Sequence, residues 1–318
     1  MKVLVVSHDA GGAEIVSSWV RRTPQNDYSY VLDGPAVSIF PQKLKGTKNK
    51  PLRELKQLVE TVDFVLTGSS QSANLEKEAI IKAKSSNTKS ATFLDYWYGF
   101  TERFRLDGKM VLPDEIWVGD QYALNLARQE FPNTQIILKT NPYLEELLEE
   151  KETIVQHISN TDGMRILYLC QPYKQEYQDG DGTVSTITDV SALEYFFHCV
   201  LDHLPPKLEI RMRQHPLEHA GKYRAVIQSV ADILTISESN NQSLAKDLVW
   251  ADLAVGMHAQ ALAIALSFGL EVFHCIPPGG DPCVLPHEEI GDFKYYLRNY
   301  KSIDRQESMA EVSNTQDG

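Results

Sequence analysis

Cysteine is sparse in these 318 residues: Cys170, Cys199, Cys275 and Cys283 stand apart, and none forms a CxxC pair. That spacing indicates neither a cysteine-based zinc site nor a disulfide framework, so reduced, structural thiols are expected. Positive charge is scarce as well. Lys and Arg number 31 against 43 Asp and Glu, a net charge of −12, which argues against a nucleic-acid partner, because phosphates select a basic surface. Long apolar runs are missing. The opening MKVLVVSHDAGG has four consecutive apolar residues, short of a signal-peptide core, and no stretch approaches the roughly 20 that a membrane span needs. The expectation is a cytoplasmic protein without a membrane span, with peripheral membrane association left open. Two phosphate-binding fingerprints are also absent: there is neither GxGxxG nor the Gly-Lys-Ser/Thr of a Walker loop.

What is present is a strict alternation of short β-branched runs with helical patterns. The spacing predicts strands at 3–7, 28–32, 64–67, 91–95, 115–118 and 135–139, with helices at 13–21, 53–62, 75–84 and 121–131 between most of them. Strands separated by helices form βαβ units in a parallel sheet covered on both faces. A charged helix over 143–155 follows, then a polar stretch. A second series predicts strands at 165–170, 208–213, 233–236, 253–255 and 272–275, with helices at 191–204, 220–230 and 259–268. The fold class is therefore α/β with two Rossmann-like domains facing across a cleft, over residues 1–158 and 159–301. The polar tail 302–318 is expected to stay disordered. Residues 174–188, rich in Gly and Asp, are expected to be mobile.

The candidate functional residues lie where strands give way to loops, the edge at which open α/β sheets bind phosphorylated ligands. After the first strand, His8-Asp9-Ala10-Gly11-Gly12 reads either as a tight turn or as a loop whose backbone approaches a ligand. Thr67-Gly68-Ser69-Ser70 suits the cap of the next helix. The run from Asp95 through Trp97, Glu102 and Arg103 to Phe104 packs five aromatics with three charges into ten residues. It reads either as a face for a ring-shaped ligand such as a sugar or as a packing loop with a Glu102–Arg103 ion pair. In the second half, Gln171 leaves one strand. Arg211, Arg213 and His215 share one face of the next, where they can neutralise a diphosphate or, alternatively, pair with carboxylates. Gly256-Met257-His258-Ala259-Gln260 joins a third strand to an apolar helix that His258 is expected to open, and whose free N–H groups suit an anion. His215-Pro216-Leu217-Glu218-His219 has the spacing of one zinc-binding motif, but the first histidine follows a strand and Pro216 comes next, so the two histidines need not share a helical face. Asp179-Gly180-Asp181 is expected to be a solvated turn and not a metal site.

Two successive Rossmann-like domains, a glycine-containing first loop, the segment RMRQHP at 211–216 and DLVWADLAVGMHAQALAIALSFGLEVF at 247–273 together resemble the GT-B fold glycosyltransferases over most of the chain. The His215-Pro216 pair is similar to the motif through which bacterial sialyltransferases of this fold contact the CMP phosphate. The resemblance implies inverting transfer from a nucleotide sugar to a hydroxyl acceptor, including a glycan, in polysaccharide or glycoconjugate biosynthesis, with no cofactor and no metal ion. It implies a donor site at Gln171, Arg211, Arg213, His215, Gly256, His258, Ala259 and Gln260. Gly11, Gly12, Trp97, Glu102 and Arg103 would serve the acceptor, and Asp95, then Asp9 or His8, the catalytic base. The sequence departs from the pattern in lacking paired glutamates eight positions apart, since 261–272 holds only Glu271, and in carrying Gly256 to Ala259 where a serine-rich motif is expected. Those departures keep two alternatives open: an enzyme resembling UDP-N-acetylglucosamine 2-epimerases, or a nucleotide-binding GT-B protein without catalysis.

Overall fold

The computed structural model describes residues 1–154, 163–178, 184–203, 208–216, 218–239 and 242–300. The Asp179-Gly180-Asp181 triplet, Leu217, the tail 302–318 and the expected boundary at 158/159 lie outside the described residues. The chain divides into two compact units, Met1–Glu149 and Glu150–Gly318.

Unit 1 runs β1 (Lys2–Ser7), α1 (Ala10–Arg22), β2 (Asp27–Leu32), α2 (Ala36–Lys43), α3 (Leu55–Val59), β3 (Phe64–Thr67), α4 (Leu75–Ser85), β4 (Lys89–Leu94), α5 (Phe100–Arg103), the short pair β5 (Arg105–Leu106) and β6 (Lys109–Met110), β7 (Glu115–Val118), α6 (Gln121–Glu130), β8 (Gln135–Leu138) and α7 (Pro142–Thr153). Six strands form one parallel sheet in the order β2-β1-β3-β4-β7-β8. Val3, Leu4, Val5 and Val6 are wholly buried. The reason is that a parallel strand with helices on both faces needs a continuous apolar run and not an alternating one. Trp19, Phe93 and Trp117 pack on one side of the sheet, and Leu55, Val59, Ala79 and Ala83 on the other.

Unit 2 runs β9 (Met164–Leu169), β10 (Lys174–Gln178), β11 (Val184–Thr188), α8 (Asp189–His203), β12 (Leu208–Arg213), α9 (Arg224–Val230), β13 (Thr235–Glu238), α10 (Leu244–Trp250), β14 (Leu253–Gly256), α11 (Gln260–Ser267), β15 (Glu271–His274) and β16 (Gly291–Asp292), then a helix over 293–300. Its parallel sheet has the order β13-β12-β9-β14-β15-β16, the dinucleotide-binding order in which strand succession reverses beside the first strand. Ile166, Tyr168, Phe196, Ile210, Met212 and Phe293 build its core.

Several elements differ from the sequence reading. Helix α1 begins three residues earlier than expected, taking Gly11 and Gly12 into its first turn. Residues 174–188, expected to be mobile, hold the antiparallel β10/β11 pair, anchored by Tyr177, Ile187 and Met257. α2, with Pro41 inside it, and α10 were not anticipated. His258 does not open α11. Ala259 is its N-cap and Gln260 its first residue.

Candidate functional site

Each sheet has one reversal point, beside β1 in unit 1 and beside β9 in unit 2, and the notable polar residues gather at the carboxyl ends of those strands. In unit 1, β1 leads into His8 and Asp9. The Nδ1 of His8 lies 2.7 Å from Asp9 Oδ1, and because a carboxylate only accepts, Nδ1 is the donor of that contact and Nε2 is left away from Asp9. The two side chains are 23% and 27% exposed, so the pair is reachable from solvent. The imidazole lies against Gly34, whose φ is +52° and where a Cβ would fall 2.6 Å from Nε2. Beneath the loop, the His8 backbone N–H donates to Glu76 Oε1 at 2.7 Å. Glu76 is buried, and that burial pushes its carboxyl up to about 7, with the charge of Asp9 adding to the effect.

Asp95, the first choice for a base, stands one residue past β4 with its carboxylate engaged. Oδ1 accepts from Ser69 Oγ at 2.8 Å and from Arg103 Nη1 at 2.9 Å, and the side chain is 9% exposed. Arg103 therefore pairs with Asp95 and not with Glu102, which is exposed. Trp97 is also fixed: its indole N–H donates at 2.8 Å to Asp120, the N-cap of α6. Gly12 meets the β3 exit, where a Cβ on it would lie 3.1 Å from Ser69 N. Gly12 thus lets α1 start against a neighbouring backbone. Ser69 and Ser70 do not cap α4, whose N-cap is Asn74. Ser70 Oγ instead accepts from Ala73 N.

In unit 2 the loops leaving β9 and β14 meet directly. Gln171 Oε1 accepts from the His258 backbone N–H at 2.8 Å, and the Tyr173 and His258 rings lie 5.5 Å apart. Gly256 permits this approach, because a Cβ there would lie 2.9 Å from Leu169 O. Ala259 and Gln260 continue from His258 into α11. Burial lowers the pKa of His258, and His274 lowers it further, so the ring is a neutral hydrogen-bonding group. Arg211 and Arg213 are not spare cations. Both contact Asp247, which is wholly buried, at 3.3 and 2.7 Å, and Arg211 also lies 3.9 Å from the Trp250 ring. Arg213 additionally donates to Gln242 O at 2.9 Å. His215 sits beyond β12 with its backbone N–H on Glu218 Oε2 at 2.9 Å. That contact engages the acidic residue of the zinc-like spacing. Among the described residues no three His, Cys, Asp or Glu side chains are grouped to hold a metal ion, and no helix is long and apolar enough to cross a membrane.

No family profile and no curated protein matches the sequence. Solved structures do match the fold. Methanocaldococcus jannaschii UDP-GlcNAc 2-epimerase, in complex with UDP-GlcNAc and UDP, aligns over 86% of this chain and 83% of its own, at 13% identity and a TM-score of 0.57. Acinetobacter baumannii MurG aligns over 87% and 78%, at 13% identity and a TM-score of 0.53. Anabaena HepE, in complex with UDP and glucose, aligns over 86% and 80%, at 9% identity and a TM-score of 0.56.

The chain has the GT-B fold.

Within this GT-B fold the carboxylates not anticipated from sequence are Glu76 in unit 1 and Asp247 and Asp189 in unit 2, while Glu218, noted only for its zinc-like spacing, holds the His215 backbone instead. Two of them carry a signal. Glu76 lies four residues before Ile80 and seven before Ala83, and Asp247 lies three after Leu244, so each is a charge on the apolar stripe of its helix. A charge on such a stripe is buried and therefore needs a partner.

Proposed function

We propose that the protein is a glycosyltransferase that takes its donor, a nucleotide sugar, at the β9/β14 reversal point of unit 2 and passes the sugar to a hydroxyl acceptor with inversion. The observation that carries this reading is the Gln171–His258 contact. It joins two strand-end loops at the reversal point of a dinucleotide-type sheet, next to the start of α11. A neutral His258 and the N–H groups of the first turn of α11 would stabilise charge on the leaving phosphate, with no resident metal required. His215 would add a second imidazole on the neighbouring loop. Arg213, held by Asp247, would contribute little net charge.

The base is His8, oriented by Asp9. Its Nε2 lone pair would take the proton of the acceptor hydroxyl as that oxygen attacks the anomeric carbon from the face opposite the nucleotide, which inverts the centre. Asp95 serves instead to hold Arg103 and the aromatic loop. The fold resemblance to the Methanocaldococcus epimerase, in complex with UDP-GlcNAc and UDP, and to Anabaena HepE, in complex with UDP and glucose, supports a nucleotide-sugar donor, and polysaccharide or glycoconjugate synthesis is the pathway class that fits.

Calorimetric titration with UDP, CDP, GDP, ADP and CMP, followed by incubation of the matching sugar nucleotides with a panel of glycan acceptors, tests the reading. Binding of one nucleotide and release of that nucleotide with a glycosylated product is expected. An epimerised sugar in place of transfer would replace this reading with the epimerase one. Binding without turnover would leave a nucleotide-binding protein, and no binding would refute the donor site.

A further inference from the structure

His215 and His258 follow β12 and β14, the two neighbours of β9, so the loops that carry them are separated by the loop leaving β9. A chain of partly buried polar contacts connects all three. Glu218 Oε2 accepts from the His215 backbone N–H at 2.9 Å, and Glu218 Oε1 accepts from Lys222 Nζ at 3.0 Å and from the Tyr223 hydroxyl. The same Lys222 ammonium donates to Asp189 Oδ2. Asp189 in turn holds Tyr173 by two bonds: its Oδ2 accepts from Tyr173 N at 3.4 Å and its own N–H donates to Tyr173 O at 3.1 Å. Tyr173 faces the His258 ring, and Gln171, two residues before it, accepts from His258 N.

We propose that Lys222 is a positioning residue that locks the loops bearing His215 and His258 into one register and so preorganises the nucleotide site. This rests on the donor-site reading above. The side chains of Glu218 and Asp189 are 1% and 11% exposed. Two carboxylates this dry, both within reach of one nitrogen, repel each other unless a cation stands between them. Each carboxylate also binds a loop backbone amide, so a carboxylate that moves takes its loop with it. Without the ammonium the pair separates and the His215 loop parts from the Tyr173 loop. Lysine's compact, three-donor head suits this junction, and arginine keeps the charge with a different geometry.

Lys222→Met and Lys222→Arg, compared with the wild type in the full chain, test the proposal by amide hydrogen exchange and by titration with UDP, CDP, GDP and ADP. Lys222→Met should speed exchange at Tyr173 and His215 together by at least about tenfold, while amides of β9 and β14 keep their protection. It should also weaken the nucleotide that the wild type binds by about tenfold, and Lys222→Arg should recover part of both losses. Unchanged exchange at either loop, or a uniform rise across the strands of unit 2, overturns the positioning role. A wild type that binds none of these four nucleotides, nor CMP, refutes the donor-site reading, while the exchange pattern still decides whether Lys222 couples the loops.

Discussion

Replacing Glu76 by Gln should make unit 1 gain stability relative to the wild type as pH rises through neutrality. Glu76 is buried, one oxygen accepts from the His8 N–H at 2.7 Å, and Oε2 has no hydrogen-bond partner among the described residues. Burial first, and Asp9 second, raise its pKa from 4.5 to about 7. An acid raised in the folded state is destabilising at high pH. The unfolded chain gives up the proton near 4.5 and the folded chain only near 7, so the penalty is absent below that window and complete above it. A displacement of that size corresponds to about 3 kcal/mol. Glutamine keeps the acceptor for His8. It places an NH2 where Oε2 stood, at a pH-independent cost of about 1–3 kcal/mol. The stability difference between E76Q and wild type should therefore move by about 3 kcal/mol in favour of E76Q between pH 4.5 and pH 8.5. Guanidinium unfolding followed by tryptophan fluorescence reads this, since Trp19, Trp97 and Trp117 lie in unit 1 and only Trp250 in unit 2. A difference that stays constant with pH would refute the argument that Glu76 is held protonated by its surroundings.

Asp247→Asn should destabilise unit 2 by about 3–5 kcal/mol in denaturant unfolding, because it leaves Arg211 and Arg213 without their buried counter-charge. Gly256→Ala sets a Cβ 2.9 Å from Leu169 O. It should cost about 1–3 kcal/mol through the strain of overpacking, and calorimetry should show weaker nucleotide binding. Gly34→Ala drives a methyl into the His8 ring, so single-turnover assays should show lost transfer with nucleotide affinity intact. His8→Ala should do the same, and Asp9→Asn less severely, since the imidazole remains but loses its orienting carboxylate.

The strands were the most legible part of the chain. Residues 64–67, 115–118 and 208–213 are bounded as the apolar runs predict, because burial on both faces of a parallel sheet writes itself directly into composition. Helix starts were less so. Gly11 and Gly12 read as a loop, yet they are helical, and the missing side chain of Gly12 lets α1 begin against Gly68 and Ser69. Pro41 hid α2 because proline ordinarily ends a helix. At the site, strand-end positions singled out His8, Asp9, Gln171, His215 and His258, but not the partners that decide their chemistry. Asp247 lies more than thirty residues beyond Arg211 and Arg213, and Asp95 is engaged by a serine 26 residues earlier. Such pairings follow from tertiary packing and leave only an indirect mark, a charge on an apolar helical stripe.

In the proposed function the ends of β9 and β14 hold the phosphates of a nucleotide. A crystal structure of the protein soaked with the nucleotide that binds in titration tests it most directly. A phosphate oxygen is expected within roughly 3 Å of the His258 ring or of an N–H in the first turn of α11. A nucleotide found elsewhere on the molecule, with Gln171 and His258 untouched, would contradict it.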